Sequence, residues 1–437
     1  MRQRDIFWFW LPLFASWLLM TAEGPIVSAA INRLPNEVVM LAAQGIVVSL
    51  SVTIESPIIN LLATSTALVK DRASFLQVRR FAIHWMILLT AITILIAFTP
   101  VFDLVVVRWL GTPEAVATWV RPGMQIMTLW SAAIAWRRFL QGVLIAFNQP
   151  RKMAWGTAVR LLTSGGLVIL LAIFTDWPGV VNGSTALMVG VVAEAIYATV
   201  AVRPLLQKEL AANQPTTEPA LTYRDLFWFH LPLAGTSVMI LLVQPLVTFS
   251  LARLDRPTES LAAWPVVFQV MLMARAASFA LPEAVIALTK GPETYQPIRR
   301  FSLTLAGVVA VAIALFTFSP LARLYLFGIQ DMTAEVGGLA QSSLIYFLPF
   351  PALTVISMWL RGVLINGRKT TAVNVAMVVN MIVTVVVLAA GLAGQWPGLP
   401  TAAVALGLAV LAEIFYLGWR AHRLWPVFSP KLATRSS

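Results

Sequence analysis

The chain contains no cysteine and only three histidines among its 437 residues, and the histidines are scattered singly. These absences exclude a disulfide framework, a thiolate metal site and cysteine catalysis, and they leave no cluster of metal ligands. The phosphate-binding pattern G-x-x-x-x-G-K-S/T, the dinucleotide pattern G-x-G-x-x-G and nucleophile motifs are also missing. We therefore expect no cofactor, no metal, no ATP-driven activity and no enzymatic function.

Charged side chains are scarce, at 11% of the residues, whereas hydrophobic residues make up 59% and the mean hydropathy is +0.82. This composition predicts an integral membrane protein whose main partner is the lipid bilayer. The net charge of +12 does not indicate a nucleic-acid partner, because polytopic membrane proteins gather Lys and Arg in their cytoplasmic loops. The first apolar segment lacks a small-residue cleavage site and has an internal copy, so we interpret it as a retained helix.

The chain contains a long internal repeat. The segment RDIFWFWLP at residues 4–12 returns as RDLFWFHLP at residues 224–232, a separation of 220 residues. Further pairs keep the same order and nearly the same spacing, among them QGVLI at 141–145 and RGVLI at 361–365. A repeat of this length indicates a duplicated half-protein, which is a common architecture of membrane transporters.

Each repeat contains six apolar segments of the length that a membrane-spanning helix requires, about 20 residues. We therefore predict an all-α membrane protein with twelve transmembrane helices. The segments lie near residues 6–28, 38–66, 81–101, 119–147, 153–174, 184–203, 226–250, 260–288, 301–326, 339–365, 370–393 and 399–419.

The distribution of basic residues predicts that both termini are cytoplasmic. With this orientation, 20 of the 31 Lys and Arg residues fall in cytoplasmic loops and termini and only 6 in outer loops. Because six is an even number, the two halves share one topology and are expected to be related by a pseudo-twofold axis along the membrane normal. The predicted division is an N-lobe at 1–207, a cytoplasmic linker at 208–223, a C-lobe at 224–424 and a cytoplasmic tail at 425–437.

Four charged residues are predicted to form structural pairs inside the membrane. Glu194 and Glu413 occupy the same position of the repeat, and Arg160 and Arg361 lie at a similar depth in neighbouring segments. A charge inside a bilayer is tolerated best when it is paired. We therefore expect Glu194 to pair with Arg160 and Glu413 to pair with Arg361.

A deeper layer of charges, close to the middle of the membrane, is the candidate substrate-binding site. It contains Arg137, Arg138, Arg275 and Glu55. Arginine keeps its charge and offers a planar fork of donors that fits carboxylate or phosphate, so an anion site is the functional hypothesis. Adjacent helical residues point about 100° apart, so at most one of Arg137 and Arg138 faces a central cleft while the other pairs or reaches an interface.

Two glutamates are candidates for ion coupling. Glu55 lies in a stripe of serine and threonine residues, and a desolvated carboxylate there suits proton binding. A plain salt bridge between Glu55 and Arg275 is the alternative. Glu23 lies close to the predicted outer face, directly before Gly24 and Pro25, where it either couples a proton or is an exposed residue at the mouth of the cleft.

Several segments carry a resemblance to a known family. They are ESPIINLLATSTALVKDRA from Glu55, AEGPIVSAAINRL at 22–34, VQPLVTFSLARL at 243–254, and QGVLIAFNQPRK with its copy RGVLINGRK. With them the chain resembles the multidrug, oligosaccharidyl-lipid and polysaccharide (MOP) exporter superfamily and, within it, the progressive ankylosis (ANK) family. This resemblance implies two six-helix lobes in a V shape with a cleft between them. Because animal ANK members are linked to export of ATP, pyrophosphate and citrate, it also implies a secondary transporter that exports such anions by alternating access.

The alternative within the superfamily is the multidrug and toxin extrusion (MATE) family, which exchanges organic cations for protons or sodium. A cation exporter is expected to have a cleft rich in carboxylates, whereas the middle layer of this chain has three arginines against one glutamate. The resemblance therefore favours a small anionic substrate. We expect a monomer in the cell membrane, as a bacterial inner-membrane protein.

Overall fold

The computed structural model describes residues 2–147, 149–208, 221–289, 291–367 and 369–422, and within these ranges it is helical and contains no strand. Most of the predicted linker at 208–223 and the predicted tail at 425–437 lie outside the described residues. The α-helices are α1 (Gln3–Ile31), α2 (Glu37–Glu55), α3 (Leu61–Leu68), α4 (Arg72–Phe98), α5 (Glu114–Ile126), α6 (Trp130–Ala146), α7 (Pro150–Phe174), α8 (Gly179–Lys208), α9 (Tyr223–Leu241), α10 (Val243–Leu251), α11 (Pro257–Phe279), α12 (Leu281–Leu288), α13 (Pro292–Phe318), α14 (Pro320–Arg323), α15 (Ala334–Phe347), α16 (Pro349–Asn366), α17 (Thr370–Ala393) and α18 (Gly398–His422).

The predicted all-α membrane fold is confirmed. Ten helical segments of the described chain are long and apolar enough to span a membrane, and the bent pair α15 and α16, which meet at 44°, makes 11. The remaining predicted segment, 119–147, is formed by α5 and α6 with a short 3₁₀ turn at Met127–Leu129 between them. Arg137 and Arg138 lie in α6 and lower its hydropathy, which is why this segment differs from the others.

Two helices begin earlier than the apolar pattern predicts. The segments expected near 81–101 and 301–326 belong to α4 and α13, so the basic residues expected in the preceding loops, Arg79, Arg80, Arg299 and Arg300, are helical. At α4 the cause is a capping box: the backbone N–H of Ser74 donates to Asp71 Oδ1 at 2.8 Å, and the backbone N–H of Asp71 donates to Ser74 Oγ at 3.0 Å. A cap fixes where a helix begins, whereas the hydropathy of the sequence detects only the apolar part of the helix and not its polar first turns.

The structure divides into two compact units. Unit 1 comprises Met1–Pro25 and Arg253–Ser437, and unit 2 comprises Ile26–Ala252. The predicted lobes follow the repeat, whereas the units assign the first 25 residues to the unit that holds the second repeat, and α9 and α10 to the unit that holds the first. The lobe boundaries stay a prediction, because they follow the sequence repeat and not these units. In the structure, the first helix of each repeat packs mainly in the unit that holds the other repeat.

The glycine shared by QGVLI and RGVLI explains why this motif recurs. In unit 2, a Cβ added to Gly142 of α6 would lie 2.4 Å from the carbonyl oxygen of Leu62 and 2.6 Å from Ser65 Cβ. In unit 1, a Cβ added to Gly362 of α16 would lie 2.8 Å from Val285 Cβ. In both units the fourth helix of the repeat therefore packs so closely on the second that only glycine fits.

In unit 2, α9 docks on the break between α2 and α3. His230 of α9 is fully buried, and its Nε2 donates to the carbonyl oxygen of Pro57 at 2.9 Å while its Nδ1 lies 2.8 Å from Thr64 Oγ1. Asn60 Nδ2 donates to the carbonyl oxygen of Leu233 at 2.9 Å. The bond from His230 gives a partner to a backbone carbonyl at the break in the helix, and the bond from Asn60 ties the break to α9.

In unit 1, α1 makes the corresponding contact. Trp10 Nε1 donates to the carbonyl oxygen of Ala277 at 3.0 Å, next to the break between α11 and α12. Trp10 and His230 occupy the same position of the repeat, as do Ala277 and Pro57. In each repeat, the first helix therefore donates one ring N–H to one backbone carbonyl at the break in the second.

One neighbour of His230 has a smaller counterpart in the second repeat, which gives a testable prediction. His230 packs against Trp85 at a centroid distance of 5.8 Å, and the repeat counterpart of Trp85 is the smaller Leu305. We expect His230→Trp alone to overpack unit 2 and cost about 1–3 kcal/mol, and His230→Trp with Trp85→Leu to recover most of this loss. Thermal unfolding in detergent measures both, and a double variant no more stable than the single one would contradict the pairing.

Candidate functional site

Glu194 of α8 is the centre of a buried polar cluster in unit 2. Its side chain is 0% exposed, and Arg137 Nη1 lies 2.8 Å from its Oε2. Gln141 Nε2 donates to its Oε1 at 3.0 Å, and Arg160 Nη1 lies 4.0 Å from Oε2. The structure thus brings the predicted pair Glu194 and Arg160 together, but the closer arginine is Arg137, which the sequence placed in the substrate layer.

Glu413 of α18 is the centre of the corresponding cluster in unit 1. Arg361 Nε lies 2.7 Å from Glu413 Oε1, in line with the predicted pair. Ser357 Oγ donates to the same oxygen, and Asn380 Nδ2 donates to Oε2 at 2.9 Å. Both carboxylate oxygens of this buried glutamate are therefore hydrogen-bonded, as a charge in a low-dielectric site requires.

The two clusters are built from the same repeat positions with different residues. Arg137 corresponds to Ser357, Gln141 to Arg361 and Arg160 to Asn380, each 220 residues apart. The arginine closest to the glutamate is Arg137 in the first repeat and Arg361 in the second, and these two repeat positions are one helical turn apart. Side chains at positions i and i+4 share a helix face, so an arginine at either position reaches the glutamate. The sequence interpretation missed Gln141, Ser357 and Asn380, although aligning the repeats would have revealed them.

Two other arginines have no carboxylate partner among the described residues. Arg138 of α6 and Arg275 of α11 form no ion pair there, and the Nε atom of each is buried without a hydrogen-bond partner. The Arg275 guanidinium lies over the ring of Phe350 at 4.6 Å and near that of Phe279 at 5.2 Å. Aromatic faces stabilise a cation but leave its hydrogen-bond donors free. Each unit therefore contains an arginine that can still bind an anion.

Glu55 lies at the end of α2, in unit 2, directly before the break. It is 7% exposed, and its Oε2 has no hydrogen-bond partner in the described part of the chain. The charges of Arg137, Arg138 and Arg160 act on it, although none of them is in salt-bridge contact with it. Glu55 is therefore a buried carboxylate in an arginine-rich environment, with one oxygen available to a proton or a ligand.

The second candidate for ion coupling, Glu23, belongs to α1 and to unit 1. The residue is only 9% exposed, so the alternative of an exposed residue at the mouth of the cleft is wrong. A Cβ added to the adjacent Gly24 would lie 3.0 Å from the side chain of Gln269, which shows that α1 packs tightly against α11 here. Glu23 thus belongs to unit 1, whereas Glu55 and the arginines that act on it belong to unit 2.

No family model and no curated protein matches the chain. Several solved structures, in contrast, are similar to it. The lipid II flippase MurJ in an inward closed conformation aligns with a TM-score of 0.71 at 10% identity, covering 94% of this chain and 87% of that one. An inward-facing MATE transporter of the MOP superfamily aligns with a TM-score of 0.69 at 15% identity, covering 94% of this chain and 95% of that one.

A third similar structure is a MOP superfamily transporter from Pyrococcus furiosus, for which reverse polarity of the binding pocket suggests a different function. It aligns with a TM-score of 0.65 at 14% identity, over 97% of this chain and 96% of that one. At these identities the similarity establishes the fold. The chain has the fold of the MATE and MOP transporters, and membership of the ANK family stays a prediction.

The shifted arginine gives a prediction about unit 1. We expect Arg361→Gln to destabilise the protein by about 3–5 kcal/mol, because it leaves Glu413 as a buried charge without a cation. Adding Ser357→Arg recreates the arrangement of Arg137 and Gln141 and is expected to restore most of the stability. Thermal unfolding in detergent compares these variants, with Ser357→Arg alone as the control. If the double variant unfolds as early as Arg361→Gln, the two positions are not equivalent.

Proposed function

We propose that this chain is a secondary transporter that exports small organic or phosphate-bearing anions, of the citrate, ATP or pyrophosphate type, by alternating access. The observation that carries this proposal is that each unit holds an arginine, Arg138 or Arg275, with no carboxylate partner in the described chain. A charged residue inside a membrane is costly unless a partner or water stabilises it. An anionic substrate supplies that partner, and the guanidinium fork fits carboxylate and phosphate groups.

In this proposal Arg137 positions the site and Arg138 binds substrate. Arg137 is bound to Glu194, which fixes the rotation of α6 about its own axis. Because adjacent side chains on a helix point about 100° apart, Arg138 is held away from the Glu194 cluster. Arg275 is fixed in turn by the rings of Phe279 and Phe350. Rigid placement of this kind lowers the ordering cost of binding a ligand.

Glu55 is proposed as the ion-coupling residue. As a carboxylate it offsets the arginine charges that act on it, and in its protonated form it no longer does. Proton binding at Glu55 therefore strengthens the attraction of Arg138 for an anion, and substrate binding favours the protonated form by linkage. Glu23 is a second candidate for coupling, in unit 1.

The opposite specificity, efflux of organic cations in exchange for protons or sodium, is the second candidate function. It is favoured by the same residue, since a buried Glu55 with a free oxygen is a group that binds cations. The chain also shares its fold with DinF-BH, a MATE multidrug transporter that was solved in complex with a ligand. In the anion proposal Arg138 and Arg275 contact the substrate, whereas in the cation proposal Glu55 does.

Transport in reconstituted liposomes tests the proposal. We expect uptake of radiolabelled citrate, ATP or pyrophosphate that empty liposomes lack, and we expect Arg138→Gln or Arg275→Gln to lower it by at least about tenfold, because each removes a charge-assisted contact. Arg80→Gln and Arg323→Gln, at exposed positions, are the matched controls. Unchanged anion uptake in both site variants would rule out the arginine site.

The same liposomes distinguish the second candidate. Ethidium uptake that follows a proton gradient, without any anion signal, would identify a cation antiporter. In that case Glu55→Gln is expected to abolish transport while Arg138→Gln and Arg275→Gln retain it. Under the anion proposal, Glu55→Gln is instead expected to leave anion uptake intact but independent of the proton gradient, because its side chain cannot ionise.

We also propose a monomer in the inner membrane with both termini in the cytoplasm, and the absence of cysteine makes this orientation simple to test. A single cysteine at Asp176→Cys, in a predicted outer loop, is expected to react with a membrane-impermeant maleimide in intact cells. A cysteine at Gln214→Cys, in the predicted cytoplasmic linker, is expected to react only after lysis. Labelling of position 214 in intact cells would reverse the orientation.

A further inference from the structure

A large apolar cavity lies within unit 1 and belongs to neither charged cluster. It has a volume of about 690 Å³ and is bounded by α1, α11 and α13. Phe7 and Phe14 of α1 line one side, and α13 lines the other from Phe301 to Phe316. At about 1.5 Å of rise per residue the cavity extends roughly 22 Å along α13. Its shape is that of a groove parallel to a spanning helix.

Two side-chain hydrogen bonds anchor α1 near the ends of this groove, one to α13 and one to Gln330, which follows the helical turn at Leu324–Ile329. At one end, Gln3 Nε2 donates to the carbonyl oxygen of Pro297 at 2.8 Å. At the other, Gln330 Nε2 donates to the carbonyl oxygen of Pro25 at 3.1 Å. The cavity lies between these two hydrogen bonds, each of which holds α1 in place at one end. The groove is therefore a stable gap between two spanning helices.

None of the described residues that line the groove carries a charge. Of the residues that line it, Thr304 and Tyr325 carry hydroxyls, and the Tyr325 hydroxyl already accepts a hydrogen bond from Gln330 Nε2 at 3.1 Å. The indole N–H of Trp10 is bound to the Ala277 carbonyl. A small multivalent anion would lose its hydration there without compensation. The lining fits an elongated hydrocarbon instead.

Two exposed arginines lie at the Gln3 end of the groove. Arg4 follows Gln3 in α1, and Arg300 lies on α13 directly before Phe301, one turn after Pro297. The hydrogen bond between Gln3 and Pro297 brings these two helix ends together. Arginine binds phosphate through paired N–H donors. The groove therefore has a positive entrance and an apolar interior, which match the two parts of an anionic phospholipid.

We propose that this groove binds an anionic phospholipid, with an acyl chain between α1 and α13 and the phosphate at Arg4 and Arg300. The repeat indicates why the groove has room in unit 1. The groove residues Ala274 and Ala312 correspond to Ile54 and Ile92 of the first repeat. The second repeat thus has alanine at two positions where the first has a larger side chain.

Photo-crosslinking tests this proposal without any transport measurement. The protein is reconstituted in vesicles of phosphatidylcholine that contain a phosphatidylglycerol probe with a diazirine in its acyl chain. We expect crosslinks to concentrate in peptides covering residues 7–14 and 301–316. The double variant Ala274→Ile with Ala312→Ile fills the groove and is expected to lower these crosslinks about tenfold. Val311→Phe, at a position that is 59% exposed and outside the groove, is the control.

The headgroup contact has its own measurement. Replacing the phosphatidylglycerol probe by a phosphatidylcholine probe is expected to lower crosslinking, and Arg4→Gln or Arg300→Gln is expected to reduce this preference about fivefold each. Arg323→Gln, an exposed arginine elsewhere in unit 1, is the control. Gel filtration of every variant checks that it is folded. Ala312→Ile alone fills less of the groove and serves as a milder version of the double variant.

Three results would overturn the proposal. The first is crosslinking that spreads evenly over exposed faces of α13, which indicates ordinary surrounding lipid. The second is groove crosslinking that the filled variants leave unchanged. The third is equal labelling by the anionic and zwitterionic probes, which removes the role of Arg4 and Arg300.

Discussion

The constraint on which the rest of the structure depends is the buried carboxylate that each repeat carries in its last helix. Glu194 and Glu413 can stay inside the protein only if cations and hydrogen-bond donors from other helices reach them. Arg137 and Gln141 meet this need in unit 2, and Arg361, Ser357 and Asn380 meet it in unit 1. The fourth helix is thereby fixed in rotation, and the position of Arg138 follows from it.

Much of the fold follows from patterns that survive in a single sequence. The repeat, the apolar segments and the pairing of Glu413 with Arg361 rest on spacing and hydropathy, which can be read directly from the order of the residues. The breaks after Glu55 and Phe279 were missed, because a break in an apolar run is stabilised by hydrogen bonds from a distant helix, such as that of His230. The partner of Arg137 was missed for the same reason, since depth in the membrane does not determine which helix faces which.

The two repeats keep one scaffold and distribute their chemistry unequally. Glu55 has the opposite charge to its counterpart Arg275, His230 occupies the position that Trp10 has in the first repeat, and Ile92 is larger than Ala312. The exchange between tryptophan and histidine leaves the shared contact in place, since both rings donate to a backbone carbonyl. A duplicated protein can diverge in this way because the shared hydrogen bonds and the close glycine packing preserve the backbone while neighbouring side chains change.

The contacts of α1 and α9 also determine when each unit can finish folding during synthesis. Unit 2 lacks the ring that binds the Pro57 carbonyl until α9 has left the ribosome, after residues 26–208 are already in the membrane. The first 25 residues must wait much longer, since Ala277 and α13 are made more than 250 residues after Trp10. Neither half can therefore complete its folding as an independent domain. A truncated first half is expected to expose an open helix break to the translocation machinery and to proteases, so quality control would recognise an incomplete chain by its missing α9.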